Sequence, residues 1–185
     1  MEDTRRKQLL LDITNEGLRI QIVDEQNRPM FDLSSAELKP YTRQIMHEIG
    51  TALNSVPNRI SLSGHTDAAP YAGGERGYGN WELSANRANA SRRELIAGGM
   101  ADNKVLRVVG LSSTVLFDKQ DPVNPINRRI SIVVLNKKTE EALMRDGVLP
   151  EGESVSGAGA PAAEQATGDT AMPAPPAHAA RPGPR

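Results

Sequence analysis

The 185-residue sequence contains no cysteine. Disulfide scaffolds, thiolate metal sites and cysteine nucleophiles are therefore excluded. Aromatic residues are nearly as scarce, with one Trp, three Tyr and two Phe. That is too few for a platform that stacks successive bases or sugars. Long apolar runs are missing as well. Ile130–Leu135 and Leu9–Leu11 fall far short of the ~20 residues that a membrane-spanning helix needs. The charged start, Met1-Glu2-Asp3-Thr4-Arg5-Arg6-Lys7, has no apolar stretch after it and is not a signal peptide. A formal net charge of −1 offers no excess of basic groups for nucleic acid.

Catalytic and metal signatures are lacking too. The three histidines, His47, His65 and His178, show no HExxH-type ligand spacing. No Gly-x-Ser-x-Gly elbow is present. The run Gly73-Gly74-Glu75-Arg76-Gly77 lacks the Gly-Lys-Ser/Thr ending of a phosphate loop and reads as a surface loop pinned by Tyr71 and Tyr78. The chain therefore reads as non-catalytic, with no metal and no cofactor.

What remains is a body of ordinary core content followed by a biased tail. From Gly147 onward the chain is mostly Ala, Pro, Gly, Glu and Ser. Such a segment cannot bury enough surface to offset its ordering entropy, so residues 147–185 are expected to be disordered. A polyproline II recognition segment at Pro173–Pro176 is the alternative there. Upstream, alternating apolar residues predict a β-hairpin over Gln8–Val23, with Gly17 in its turn. Tyr41, Ile45, Ile49 and Leu53 recur at helical spacing after Pro40, with Ser34 or Ser35 as candidate caps. Arg59–Gly64 and Val105–Gly110 read as strands and Asn80–Ala97 as a helix. Arg129–Leu135 reads as a central strand, apolar on both sides, and a short helix closes the body. The order β-β-α-β-α-β-β-α predicts an α+β fold, a mixed sheet packed against helices with some parallel pairing.

Two clusters stand out chemically. Asn80, Leu83, Ser84 and Arg87 form one stripe of the second helix, and Ser84, Ala88, Ser91 and Leu95 form its neighbour. Asp67 leaves the end of the strand before it. In a strand–loop–helix unit these positions share one edge, so Asp67 and Arg87 meet there. They form either a structural ion pair or a site for a zwitterion, in which the carboxylate takes an ammonium and the guanidinium fork takes a carboxylate. An amino-acid head group carries both charges on one carbon. Asn80 either caps the helix or offers its amide to a ligand. Further on, Asn127-Arg128-Arg129 precedes the last strand. Adjacent strand residues point to opposite faces, so one arginine reaches the site edge and the other does not.

Taken together, Gly64-His65-Thr66-Asp67, Asn80-x-x-Leu83-Ser84-x-x-Arg87-Ala88 and Asn127-Arg128-Arg129 resemble the OmpA-like peptidoglycan-binding family. The resemblance runs from about Phe31 to Leu135. It implies that Asp67 and Arg87 hold the diaminopimelate residue of the peptidoglycan stem peptide. Thr66, Asn80, Leu83 and one of Arg128 or Arg129 would line the pocket. The long Asp67–Asn80 loop departs from the general pattern. With Pro70-Tyr71-Ala72, Asn27–Phe31, Asn89–Leu95 and Lys104–Gly110, it resembles the flagellar-stator branch of the family.

That branch implies a periplasmic wall anchor that works as a homodimer and joins a MotA-type stator subunit through a membrane helix in the inner membrane. Residues 1–30 would then be periplasmic linker and hairpin, residues 31–146 the OmpA-like domain, and the chain the periplasmic half of a longer, truncated protein. The other reading is a different wall anchor of the same family, a lipoprotein or a secretion-system tether.

Overall fold

The computed structural model describes residues 8–72 and 76–146. The tail, His178, the Pro173–Pro176 segment, Met1–Lys7 and Gly73-Gly74-Glu75 lie outside the described residues. Alternation of apolar and polar residues builds the first two strands, β1 (Leu9–Thr14) and β2 (Gly17–Val23). Their two-residue turn needs a left-handed residue at its exit, and Gly17 supplies it with φ +144°. Then follow α1 (Pro40–Asn54), β3 (Ile60–His65), α2 (Asn80–Ala97), β4 (Val105–Gly110), β5 (Arg129–Leu135) and α3 (Lys137–Asp146). The expected order of elements holds.

The five strands run in the order β1-β2-β5-β3-β4. β5 is therefore central, antiparallel to both β2 and β3, while β3 and β4 pair in parallel across the α2 crossover. Residues 9–23, assigned above to a linker-and-hairpin segment, supply two strands of this one sheet. One face carries Ile20, Ile22, Ile60, Leu62, Ile130 and Ile132 into a core with Met46, Leu53 and Leu95 of α1 and α2. Each such side chain contributes about 1.5–3 kcal/mol of burial. β1 is an edge strand, and its Leu11 and Ile13 are exposed although they alternate like core residues.

Ser34 and Ser35 do not cap α1. The residue before the helix is Lys39, which makes no side-chain cap, and Pro40 sits in the first turn. The serines belong to an earlier turn, in which the Ser35 N–H donates to the Asp32 carbonyl (3.1 Å) and the Asp32 N–H to the Glu37 carbonyl (3.0 Å).

Helix α2 lies very close to the sheet. A Cβ on Gly64 would stand 2.1 Å from the Ser84 carbonyl oxygen, and one on Gly110 would stand 2.6 Å from the Ala85 nitrogen. The small residues Ser84, Ala88 and Ser91 are fully buried at this contact. This approach brings the first turns of α2 to the end of β3.

Candidate functional site

At that edge lies a cavity of about 430 Å³, lined among others by Asp24, Phe31, Thr66, Asp67, Asn80, Leu83, Arg87 and Arg128. The backbone holds its strand side in place. The Thr66 N–H donates to the Ser112 carbonyl (2.9 Å) and the Ala68 N–H to the Pro122 carbonyl (2.9 Å). Asp67 accepts the Ala69 N–H at Oδ1 (3.1 Å) and the Arg128 Nη1–H at Oδ2 (2.7 Å). Arg128 also donates from Nε to Asp24 Oδ2 (2.8 Å), so one guanidinium bridges two carboxylates.

Arg87 approaches from α2. Its Nε donates to the Ser35 carbonyl (2.8 Å) and its Nη2 to the Asp32 carbonyl (3.4 Å), and its guanidinium carbon stands 4.8 Å from the Phe31 ring centre. Asp67 and Arg87 thus share the cavity without bonding each other, because Asp67 is paired with Arg128. Two of the five Arg87 donors are used among the described residues, which suits the remaining fork to a ligand carboxylate. Thr66 is buried, and its Oγ1 has no hydrogen-bond partner among the described residues. Leu83 is a buried apolar wall. Asn80 is not the cap. Gly79 precedes the helix and its N–H is taken by Glu82 Oε2 (2.8 Å), while Asn80 Nδ2 donates to the Ala69 carbonyl (2.9 Å) and fastens the loop.

The electrostatics follow from this burial. Burial pushes the Asp24 carboxyl above its ordinary range, against the hydrogen bonds from Arg128 and the Met30 N–H. Burial likewise lowers the Arg87 pKa, opposed by the negative charge of Asp24. Burial also works against charge on Arg128, but Asp24 and Asp67 more than offset it and raise its pKa.

Arg129 is the arginine that does not reach the cavity. Strand alternation sends it to the helix-free face, where Nε donates to Gln21 Oε1 (3.0 Å) and Nη2 to the Val115 carbonyl (2.8 Å). Of the two arginines offered for the pocket, Arg128 lines the cavity and Arg129 does not. Asn127 is wholly buried and organises the 112–127 loop. Its Oδ1 accepts from the Phe117 and Asp118 N–H groups (2.7 and 2.8 Å), and its Nδ2 faces the Asp118, Asp121 and Pro122 carbonyls.

Sequence reasoning missed Asp24 and the Arg87–Phe31 contact. The signal for Asp24 lay in strand register, since Val23 pairs with Arg129 and the Asp24 N–H donates to the Arg128 carbonyl (3.0 Å). Among the described residues no cluster of His, Asp or Glu could hold a metal ion, and no helix is long and apolar enough to cross a membrane.

A family model described as the OmpA family matches residues 30–129, more than half of the chain. The chain belongs to the OmpA family. Motility protein B of Escherichia coli K12 is 56% identical over 151 residues, covering 82% of this chain and 49% of that protein. The chain thus spans about half the length of this relative. Among solved structures, the periplasmic domain of Helicobacter pylori MotB matches with a TM-score of 0.60 at 19% identity, covering 77% of this chain and 93% of that one. The cell wall anchor of the T6SS from Pseudomonas aeruginosa matches with a TM-score of 0.59 at 23% identity, covering 74% and 93%. At these identities the structural matches speak for the OmpA-like fold.

Proposed function

We propose that this domain binds peptidoglycan without catalysis, by gripping the amino-acid head group of diaminopimelate in the stem peptide. The observation that carries the reading is the meeting of Asp67, Arg87 and Arg128 in one cavity, from three separate elements. The ligand ammonium sits against Asp67, whose carboxylate oxygens each keep a further lone pair. The ligand carboxylate takes the open side of the Arg87 fork, and Thr66 Oγ1 gains the partner it lacks.

The role of that grip is mechanical. The 56% identity to Motility protein B supports an anchor in the periplasm for a flagellar stator. A stator turns ion flow into torque only if something holds it still, and attachment to the wall supplies the reaction point. The full protein would sit in the inner membrane with a MotA-type subunit. Pairing as a homodimer would add avidity without a tighter single site. The likeness to a T6SS wall anchor favours a second reading, a tether for another envelope machine, in which the same cavity does the same work.

Co-sedimentation with purified peptidoglycan tests the binding. The wild type pellets, and Asp67→Ala and Arg87→Ala stay in solution while circular dichroism shows both folded. Pelleting by both variants at the wild-type level removes the cavity from the function.

A further inference from the structure

The charges around the cavity balance in an unusual way. Arg87 and Arg128 are its two lining cations. Asp67 offsets one of them. Asp32 also lines the cavity, but it is ion-paired with Lys39. The balance for the second arginine comes from Asp24, a residue of the β2 exit that lies upstream of the span matched by the family model. Asp24 is 5% exposed and is held on both oxygens. Oδ1 accepts the Met30 N–H (2.7 Å) and Oδ2 accepts Arg128 Nε (2.8 Å).

We infer that Asp24 determines the ligand selectivity of the cavity, by compensating the charge of Arg128 so that the site accepts a zwitterion rather than a plain anion. The inference rests on the diaminopimelate reading above. Its physical basis is that a buried charge acts strongly and must be compensated within the site. With Asp24 ionised, two carboxylates face two guanidinium groups, and a ligand that brings one ammonium and one carboxylate preserves the balance. Without it, Arg128 can divide its attraction only between Asp67 and the ligand. The cavity then carries a surplus positive charge, draws a carboxylate and repels an ammonium. Asp24 also fixes the Arg128 Nε, which leaves Nη1 aimed at Asp67. It is thus a positioning residue as well as a charge.

The test uses three probes with related carbon skeletons. They are meso-diaminopimelate, pimelate (the same diacid without its amines) and 1,5-diaminopentane (the diamine without its carboxylates). Each is titrated calorimetrically into wild type, Asp24→Asn and Arg128→Gln. Asparagine keeps the acceptor for the Met30 N–H but removes the charge and, with its NH2 turned to Arg128 Nε, the hydrogen bond to Arg128, so the readout is the ratio between probes and not the affinity for any one of them. Wild type should prefer diaminopimelate over both partial ligands. Asp24→Asn should move the pimelate-to-diaminopimelate affinity ratio at least fivefold toward pimelate. Arg128→Gln leaves two carboxylates against one cation and should move selectivity the opposite way, toward the diamine. That variant carries the test if Asp24→Asn fails to fold, since it alters the more exposed partner of the pair (28% against 4% for the Asp24 side chain).

A uniform loss of affinity for every probe, with ratios unchanged, means that Asp24 only supports the fold and overturns the inference. Failure of wild type to bind diaminopimelate overturns the reading beneath it, and the inference with it. Unchanged ratios in wild-type-like binders overturn the inference alone.

Discussion

Gly64→Ala joins fold and function in one substitution. The added Cβ would lie 2.1 Å from the Ser84 carbonyl oxygen, and real Cβ atoms essentially never approach closer than 3.0 Å. The obstacle is backbone on both sides, so no side chain can swing away. Helix α2 must retreat from β3 by about 1 Å, or the strand must buckle. Overpacking of this kind costs about 1–3 kcal/mol. The retreat also moves Arg87 relative to Asp67, beyond the ~0.5 Å tolerance of a preorganised site. Urea denaturation should show the stability loss, and co-sedimentation should show binding to peptidoglycan reduced at least several-fold in protein that remains folded.

Gly99→Ala serves as the contrast. Gly99 has φ +105° with no atom within 4 Å of an added Cβ. Alanine there strains the backbone by about 1 kcal/mol but should leave binding intact. Wild-type stability and wild-type binding in Gly64→Ala would refute the argument that this contact sets the site.

Other perturbations follow from the same geometry. Asn127→Ala strips the buried amide from the 112–127 loop and leaves its N–H and carbonyl groups unpaired, so chemical denaturation should show a loss of about 2–4 kcal/mol. Arg129→Lys cannot reproduce the fork on Gln21 and Val115. It should lower the melting temperature while peptidoglycan binding persists, because Arg129 lies on the face away from the cavity. Burial, with help from the charges of Arg129 and Arg19, pushes His65 down to about 3 from its ordinary 6.5. Between those values the unfolded chain binds a proton that the folded chain refuses. Stability is therefore full above the ordinary value and falls as pH drops, by up to about 1.4 kcal/mol per pH unit. Denaturation midpoints between about pH 5 and 6.5 should lose much of this slope in His65→Gln, and an unchanged slope would assign it to other groups.

Periodicity made local structure legible. The bounds of α2 and β4 follow from apolar spacing and the glycines at their ends, and β5 reads as central because so many of its residues are apolar. Half of the site was legible on the same basis, since a strand end and a helix start must meet in a βα unit. What stayed hidden depends on pairing between distant segments. Asp24 and Arg128 are neighbours only through the β2–β5 register. That register also decides which arginine faces the cavity. Of the two readings of Asp67 and Arg87, the direct ion pair fails because Asp67 pairs with Arg128, 61 residues away, which local spacing does not place. The serine caps misled for a different reason. Ser34 and Ser35 both have cap chemistry, but Ser35 Oγ accepts the Glu37 N–H (3.0 Å) within the Asp32–Glu37 turn, ahead of the helix.

Displacement by free ligand tests the central claim most directly. Wild-type protein is sedimented with peptidoglycan while meso-diaminopimelate is titrated in, beside pimelate at matched ionic strength. If the cavity grips the head group of the stem peptide, diaminopimelate releases the protein in a saturable way and pimelate is much weaker. Pelleting that is indifferent to saturating diaminopimelate would contradict the account, because the wall would then be held by some other surface of the domain.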